Sequence, residues 1–316
     1  MSVKPARGFT LIELLIVIAI IAILVALVTV AAGMMLQRSK STKDLSNHRV
    51  IGQATFSHST DHGGRLLHPR TGPEGPPAED STQSQIDRMW IAAYGEDANG
   101  DDRLVGLGWN PGDYVEMMTA LQEGAAFQYI GDVSAYQSPM DPTIGNLDSY
   151  VNESVHQEMG QPKDRIRSYA LNAFVGVEWG ADDRTVYRDD PPLRLEQNGF
   201  WQSTETLSQI PQPAGTMCSI GEEDSWGRNG HGWLVAPTTN FDAFRHWSDF
   251  PAFWDDRRVN ISFVDGSTGT IMLESDKLKE NWLQHGHDDF NISDCELEYR
   301  RFHRVLLPGV IGSVLD

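Results

Sequence analysis

Residues 14–36, from Leu14 to Leu36, hold no charged side chain, and one carboxylate, Glu13, stands directly in front of them. These 23 positions are long enough to cross the hydrocarbon core of a bilayer as a helix. The apolar character already begins at Phe9, so Glu13 lies four residues inside the stretch. A charge inside a bilayer core costs roughly 2.5–3.5 kcal/mol on insertion scales, so a chain that keeps one there needs a partner for it. Lys4 and Arg7 precede the stretch, which places the leader on the cytoplasmic side and the bulk of the chain beyond the membrane. A secretory signal is cut after its apolar segment and loses it. Two readings remain for a retained segment: an assembly helix, or a plain single-pass anchor, which leaves Glu13 without a role.

The sequence Gly8-Phe9-Thr10-Leu11-Ile12-Glu13 followed by about twenty apolar residues resembles the N-terminus of type IV pilins and type II secretion pseudopilins. The resemblance implies that a prepilin peptidase cuts between Gly8 and Phe9 and that the new amino terminus, Phe9, is methylated. It also implies that Glu13, the fifth mature residue, pairs with the amino terminus of a neighbouring subunit in a filament. The implied partners are the peptidase, other pilin or pseudopilin subunits in a homo- or heteropolymer, an inner-membrane assembly platform and the lipid bilayer.

The formal charge is −19, and cleavage after Gly8 removes Lys4 and Arg7 and no acid, leaving −21. So acidic a chain is no candidate for nucleic-acid binding, which needs a basic surface. Cys218 and Cys295 stand 77 positions apart with no CxxC, leaving open one disulfide or two buried thiols. Low lysine, 9 tryptophans and 29 glycines describe a loop-rich domain with aromatic anchors.

The apolar helix is predicted to continue without a break from Phe9 to about Thr60, roughly 75–80 Å at about 1.5 Å per residue. Leu45, His48, Gly52 and Phe56 form a thin stripe for packing on a sheet, and Asp61-His62-Gly63-Gly64 ends the helix. A proline-rich loop, 68–84, follows. Short helices are predicted over 85–94 and 113–123, the latter with Tyr114, Met117, Met118 and Leu121 on its apolar side. Strands are predicted over 168–177 and 216–220. Val259 to Val264 alternates apolar and polar, Asp265-Gly266 follows, and 267–273 returns; this is a hairpin signal that asks for positive φ at both central residues. The tail from Asn291 is either a helix or a strand.

Several landmarks occur in the order found in a large planctomycete-type family of pilin-like proteins with a C-terminal Asp-Gly hairpin domain. Leu45 to Pro69 resembles its post-membrane segment, and Tyr136 to Pro142 its Cys-Pro-x-Asp-Pro connector, with Ser138 in place of the cysteine. Ser168-Tyr169-Ala170-Leu171-Asn172 resembles its Ser-Tyr-x-x-Asn strand, and 210–216 its proline loop. Arg245-His246, then Asn260 to Ser267 with Asp265 and Gly266, resembles its hairpin signature, here with a longer aromatic insertion, 247–256. Val30 stands where many pilins carry a proline.

Chemistry outside the pilin motif is sparse. Asp97, Asn99 and Asp101 have the first three ligand spacings of a calcium loop, but Asp102 replaces the glycine and Gly108 the bidentate acid, so a solvated turn is the default. His285-Gly286-His287-Asp288-Asp289 lacks a second ligand cluster, and Glu222-Glu223-Asp224 reads as a charged turn. No nucleophile elbow, phosphate loop or HExxH occurs, so no enzyme and no cofactor are expected. Trp226, Trp233, Trp247 and Trp254 are core anchors or, alternatively, a ligand-binding surface on a pilin stalk.

The expected fold is α+β: a long N-terminal helix, half in the membrane, with its outer half packed on an antiparallel sheet bearing long loops. The expected organisation is a leader, 1–8, a membrane half, 9–36, a soluble half of the helix, 37–62, and an extracytoplasmic domain, 63–316. The expected location is the inner membrane, then a pilus or pseudopilus.

Overall fold

The computed structural model describes residues 10–69, 87–92, 94–96, 102–104, 114–144, 167–176, 204–223, 232–233, 235, 247, 249–285, 295–306 and 308. The chain divides into two compact units, one ending at Thr42 and the other beginning at Lys43.

Helix α1 spans Leu11–Asp61 without interruption. No proline occurs between Phe9 and His68, and the aliphatic run followed by polar helix formers offers nothing to break it. It ends as its glycines require. Gly63 and Gly64 both take positive φ, and the Gly64 N–H closes on the Ser59 carbonyl at 2.6 Å. In the first unit the aliphatic side chains from Leu11 to Leu36 are exposed.

The second unit is built on a four-stranded antiparallel sheet. Its strands lie in chain order: β3 (Tyr169–Leu171), β4 (Met217–Gly221), β5 (Arg258–Phe263) and β6 (Thr268–Met272). A separate antiparallel pair joins β1 (Tyr94–Glu96) to β2 (Asp102–Leu104). Helices α2 (Tyr114–Glu123), α3 (Phe127–Ile130), α4 (Lys277–His285) and α5 (Glu296–Leu306) complete the described elements, with a 3₁₀ turn at Val133–Tyr136. The tail is therefore helical where described, and residues 87–92 form turns before β1 instead of the predicted short helix.

Alternation along the strands separates two cores. Val259 and Ile261 of β5, with Met217 and Ile220 of β4, face Leu278 and Trp282 of α4 and Tyr299, Phe302 and Leu306 of α5. Asn260 and Ser262 of β5 face the outer part of α1. The other core gathers Ile51 of α1 with Leu66, Leu67, Trp90, Tyr136, Leu171 and Val264. Cys218 belongs to this core and Cys295 to the α4–α5 core, so the two thiols are buried on opposite faces of the sheet and are not joined to each other by a disulfide. Burial holds the Cys218 thiol up at about 11. Trp233 and Trp247 are both buried in the α4–α5 core, which resolves these two in favour of core anchors; Trp226 lies outside the described residues.

The β5–β6 connection departs from the expectation. It is a three-residue loop, Val264 to Gly266, closed by the Gly266 N–H on the Phe263 carbonyl at 2.9 Å and the Phe263 N–H on the Ser267 carbonyl at 2.8 Å. Only Gly266 takes positive φ, at 83°, and Asp265 does not. This is a turn ending in a left-handed glycine, not a two-residue turn with both centres inverted. The extra residue exists because Val264 is pulled into the core, with its N–H on the Thr216 carbonyl at 3.0 Å.

Candidate functional site

The N-terminal end of α1 is organised by its own side chains. Thr10 precedes the first helical residue and Glu13 sits at the third. Glu13 Oε2 accepts from the Thr10 N–H and from the Thr10 hydroxyl, each at 2.8 Å, and the Glu13 N–H reaches Thr10 Oγ1 at 3.3 Å. This is a reciprocal capping box, which satisfies helix-end donors that a bilayer cannot hydrate. The same logic covers Thr29, whose hydroxyl returns to the Ala26 carbonyl at 2.9 Å. Gly8 and Phe9 lie outside the described residues, as do Arg245, His246, Asp97, Asn99, Asp101 and the 286–289 cluster.

Further along, α1 turns a mainly polar face to the sheet. Asp44, Asn47, His48, Ile51, Gly52, Thr55, His58 and Ser59 are buried, at helical spacing. The Asp44 carboxylate accepts from the Ser138 hydroxyl, from Tyr169 Oη at 2.8 Å and from Asn260 Nδ2 at 2.9 Å. Asn47 Nδ2 donates to the Gln137 carbonyl at 2.8 Å. His48 Nδ1 lies 2.8 Å from Ser219 Oγ, which in turn contacts Ser262 Oγ at 2.6 Å. Burial holds His48 down to about 4, against the opposing pull of Asp44. At Gly52 the helix approaches so closely that an added Cβ would stand 3.0 Å from Ser262 Cβ and 3.1 Å from the Phe263 carbonyl oxygen.

The predicted stripe is thus only half right. His48 and Gly52 are buried, but Leu45 is partly exposed and Phe56 is 41% exposed. Polar residues at 44, 47, 55 and 58 take the inward positions because the sheet offers them hydrogen-bond partners, a complementarity invisible to apolar periodicity. The Glu222-Glu223 turn is also corrected: both are buried at the end of β4, and Glu222 pairs with Arg167 at 3.5 Å.

Several motif residues have structural duties. Ser168 Oγ accepts from the Ser138 N–H and donates to Asp141, tying the connector to β3. Asn172 Nδ2 donates to the Met217 and Leu306 carbonyls at 2.9 and 2.7 Å, and its Oδ1 accepts from the Phe174 N–H. Asp265 Oδ1 accepts from the Ser267 N–H at 2.9 Å, a local turn contact.

Residues 3–29 match the family model of the prokaryotic N-terminal methylation motif. No curated protein and no solved structure matches the chain. The methylation motif supports a type IV pilin- or pseudopilin-like precursor and suggests a structural subunit. It overlaps the first part of α1, which is long and apolar enough to cross a membrane, and this fits a membrane-anchored, pilus-type protein. The match also implies processing by a prepilin peptidase and assembly with other pilins. The capping box lies inside the motif, at Thr10 and Glu13, and its signal in the sequence is Thr-x-x-Glu before an apolar run.

Proposed function

We propose that this chain is a pilin or pseudopilin subunit of a type IV pilus-like or type II secretion filament. Prepilin peptidase cuts it between Gly8 and Phe9, Phe9 is methylated, and residues 9–36 hold it in the inner membrane with residues 63–316 on the far side. In the filament these helices bundle, and Glu13 meets the amino terminus of Phe9 in a neighbouring subunit, setting axial register. The observation that carries this reading is the methylation-motif match over residues 3–29. The uncharged, exposed run from Leu14 to Leu36 supports it, since such a surface needs lipid or neighbouring helices.

Within this reading Glu13 has two successive sets of donors. Before assembly it is held by Thr10. On assembly a neighbouring ammonium offers a stronger, charge-assisted contact. The test is the N-terminal peptide mass from native envelopes, measured separately on membranes and on sheared filaments. A methylated Phe9 terminus in the filament fraction is expected. An intact Met1 leader confined to membranes overturns the reading and leaves a single-pass anchor.

A further inference from the structure

Helix α1 passes from apolar to charged within a few residues. Leu36 closes the uncharged run and is 60% exposed. Arg38 and Lys40 follow it, and both are exposed. They lie about 3 and 6 Å beyond Leu36 along the axis, at about 1.5 Å per residue. The headgroup layer on each side of a bilayer's hydrocarbon core is roughly 5–7 Å deep, so both cations stand at its level. Positions two apart on a helix point about 200° away from each other, so the two side chains leave α1 on opposite sides.

Neither cation has a protein counter-charge among the described residues. No acid occurs between Glu13 and Asp44. Asp44, four residues after Lys40, is buried, and its oxygens take the Ser138, Tyr169 and Asn260 donors. Lys43, the next cation, differs: it adds to the Ser134 hydrogen bonds that hold the Asp132 carboxyl below its ordinary value.

The setting sharpens the contrast. The chain carries a formal charge of −19, which an anionic surface repels. Lys4 and Arg7 lie in the leader, and no cationic side chain stands between Phe9 and Gln37. Arg38 and Lys40 are therefore the first cationic side chains that cleavage after Gly8 leaves.

We propose that Arg38 and Lys40 form a binding surface for anionic phospholipid headgroups around the outer end of the span, one headgroup on each side of the helix. The inference rests on residues 9–36 lying in the membrane. A zwitterionic headgroup brings its own ammonium to its phosphate, whereas an anionic one leaves the phosphate to the Arg38 guanidinium and the Lys40 ammonium. Cations at this level are drawn to an anionic membrane surface. Lipid also meets α1 from every side, as two oppositely directed cations require, while one protein neighbour covers one side. The pair fixes the depth of the span and offsets, locally, the repulsion between an acidic chain and an anionic bilayer.

The full chain, with Lys4→Gln and Arg7→Gln so that the leader adds no cation, is reconstituted in vesicles of phosphatidylcholine and phosphatidylglycerol. Electron paramagnetic resonance of spin-labelled lipids measures the fraction of each headgroup immobilised at the protein. The comparison chain carries Arg38→Gln and Lys40→Gln as well; both sites are exposed and glutamine is a good helix former, which circular dichroism checks. One cation near the surface is worth roughly a fivefold preference, and averaging over all lipids touching the helix leaves at least about twofold for phosphatidylglycerol. Such a preference at low salt, cut by half or more in the comparison chain, supports the surface. A preference that the two substitutions leave above half, or none in the first chain, overturns it, and the cations then serve a neighbouring subunit or only water. Absence of immobilised lipid of either kind in both chains overturns the membrane placement of residues 9–36 itself, and this surface with it.

Discussion

The Tyr169 hydroxyl donates to Oδ1 of Asp44 at 2.8 Å, joining residues 125 positions apart. Asp44 also takes donors from Ser138 and Asn260, so one carboxylate ties α1 to the connector, to β3 and to β5. Burial of the phenol, and then the charge and hydrogen bond of Asp44, push the Tyr169 hydroxyl well above the ordinary tyrosine value.

Asp44→Ala removes the acceptor from three buried donors. Each abandoned donor costs about 1–3 kcal/mol, and partial relaxation brings the expected loss to roughly 3 kcal/mol. Asp44→Asn, which keeps one acceptor oxygen, should lose less. Thermal unfolding of the detergent-solubilised chain, followed in the near ultraviolet, measures both. Equal melting points for wild type and Asp44→Ala would show that the hub adds nothing to stability.

Gly52→Ala reads the distance between helix and sheet. Glycine to alanine inside a helix ordinarily stabilises by about 0.5–1 kcal/mol. Here the new methyl meets Ser262 and the Phe263 carbonyl, and overpacking of this kind costs about 1–3 kcal/mol. Net destabilisation is expected. Gly33→Ala, where nothing lies within 4 Å, is the control and should leave the melting point of the second unit unchanged.

Stability should fall in mild acid because of His48. Its folded value is near 4 and its ordinary value is 6.5, so between these the unfolded chain binds a proton that the folded chain refuses. The contribution is therefore complete above about pH 6.5 and shrinks as pH falls toward 4, by at most about 3 kcal/mol. Denaturant unfolding from pH 7.5 to 4.5 measures the slope. His48→Gln should reduce it, leaving the share of His58, which burial also holds down to about 4; an unchanged slope would assign the acid sensitivity elsewhere.

Glu13→Ala should leave cleavage after Gly8 largely intact and abolish filament recovery. Thr10→Ala removes only the hydroxyl half of the cap, weakening the helix start by about 1 kcal/mol, and should reduce filaments less severely. Mass spectrometry of the N-terminal peptide and the yield of sheared filaments separate the two steps. Normal filaments from Glu13→Ala would remove its register role.

By itself the sequence determined the long helix, its glycine exit, the α+β class, the β5–β6 hairpin and the helix at 114–123. Each depends on neighbours in the chain: an unbroken aliphatic run, paired glycines, alternation around Asp265-Gly266, apolar residues at helical spacing. It likewise held the methylation motif, because peptidase recognition is a linear property. The tertiary structure alone decided which face of α1 is inward, the length of the hairpin loop and the separation of Cys218 from Cys295. Apolar patterning placed Leu45 and Phe56 against the sheet, yet Asp44, Asn47 and Thr55 are there instead. A polar side chain carries no mark of burial in the sequence. It becomes a stable interior group only where distant residues, here Ser138, Tyr169, Ser219 and Asn260, bring partners within hydrogen-bond reach of the helix.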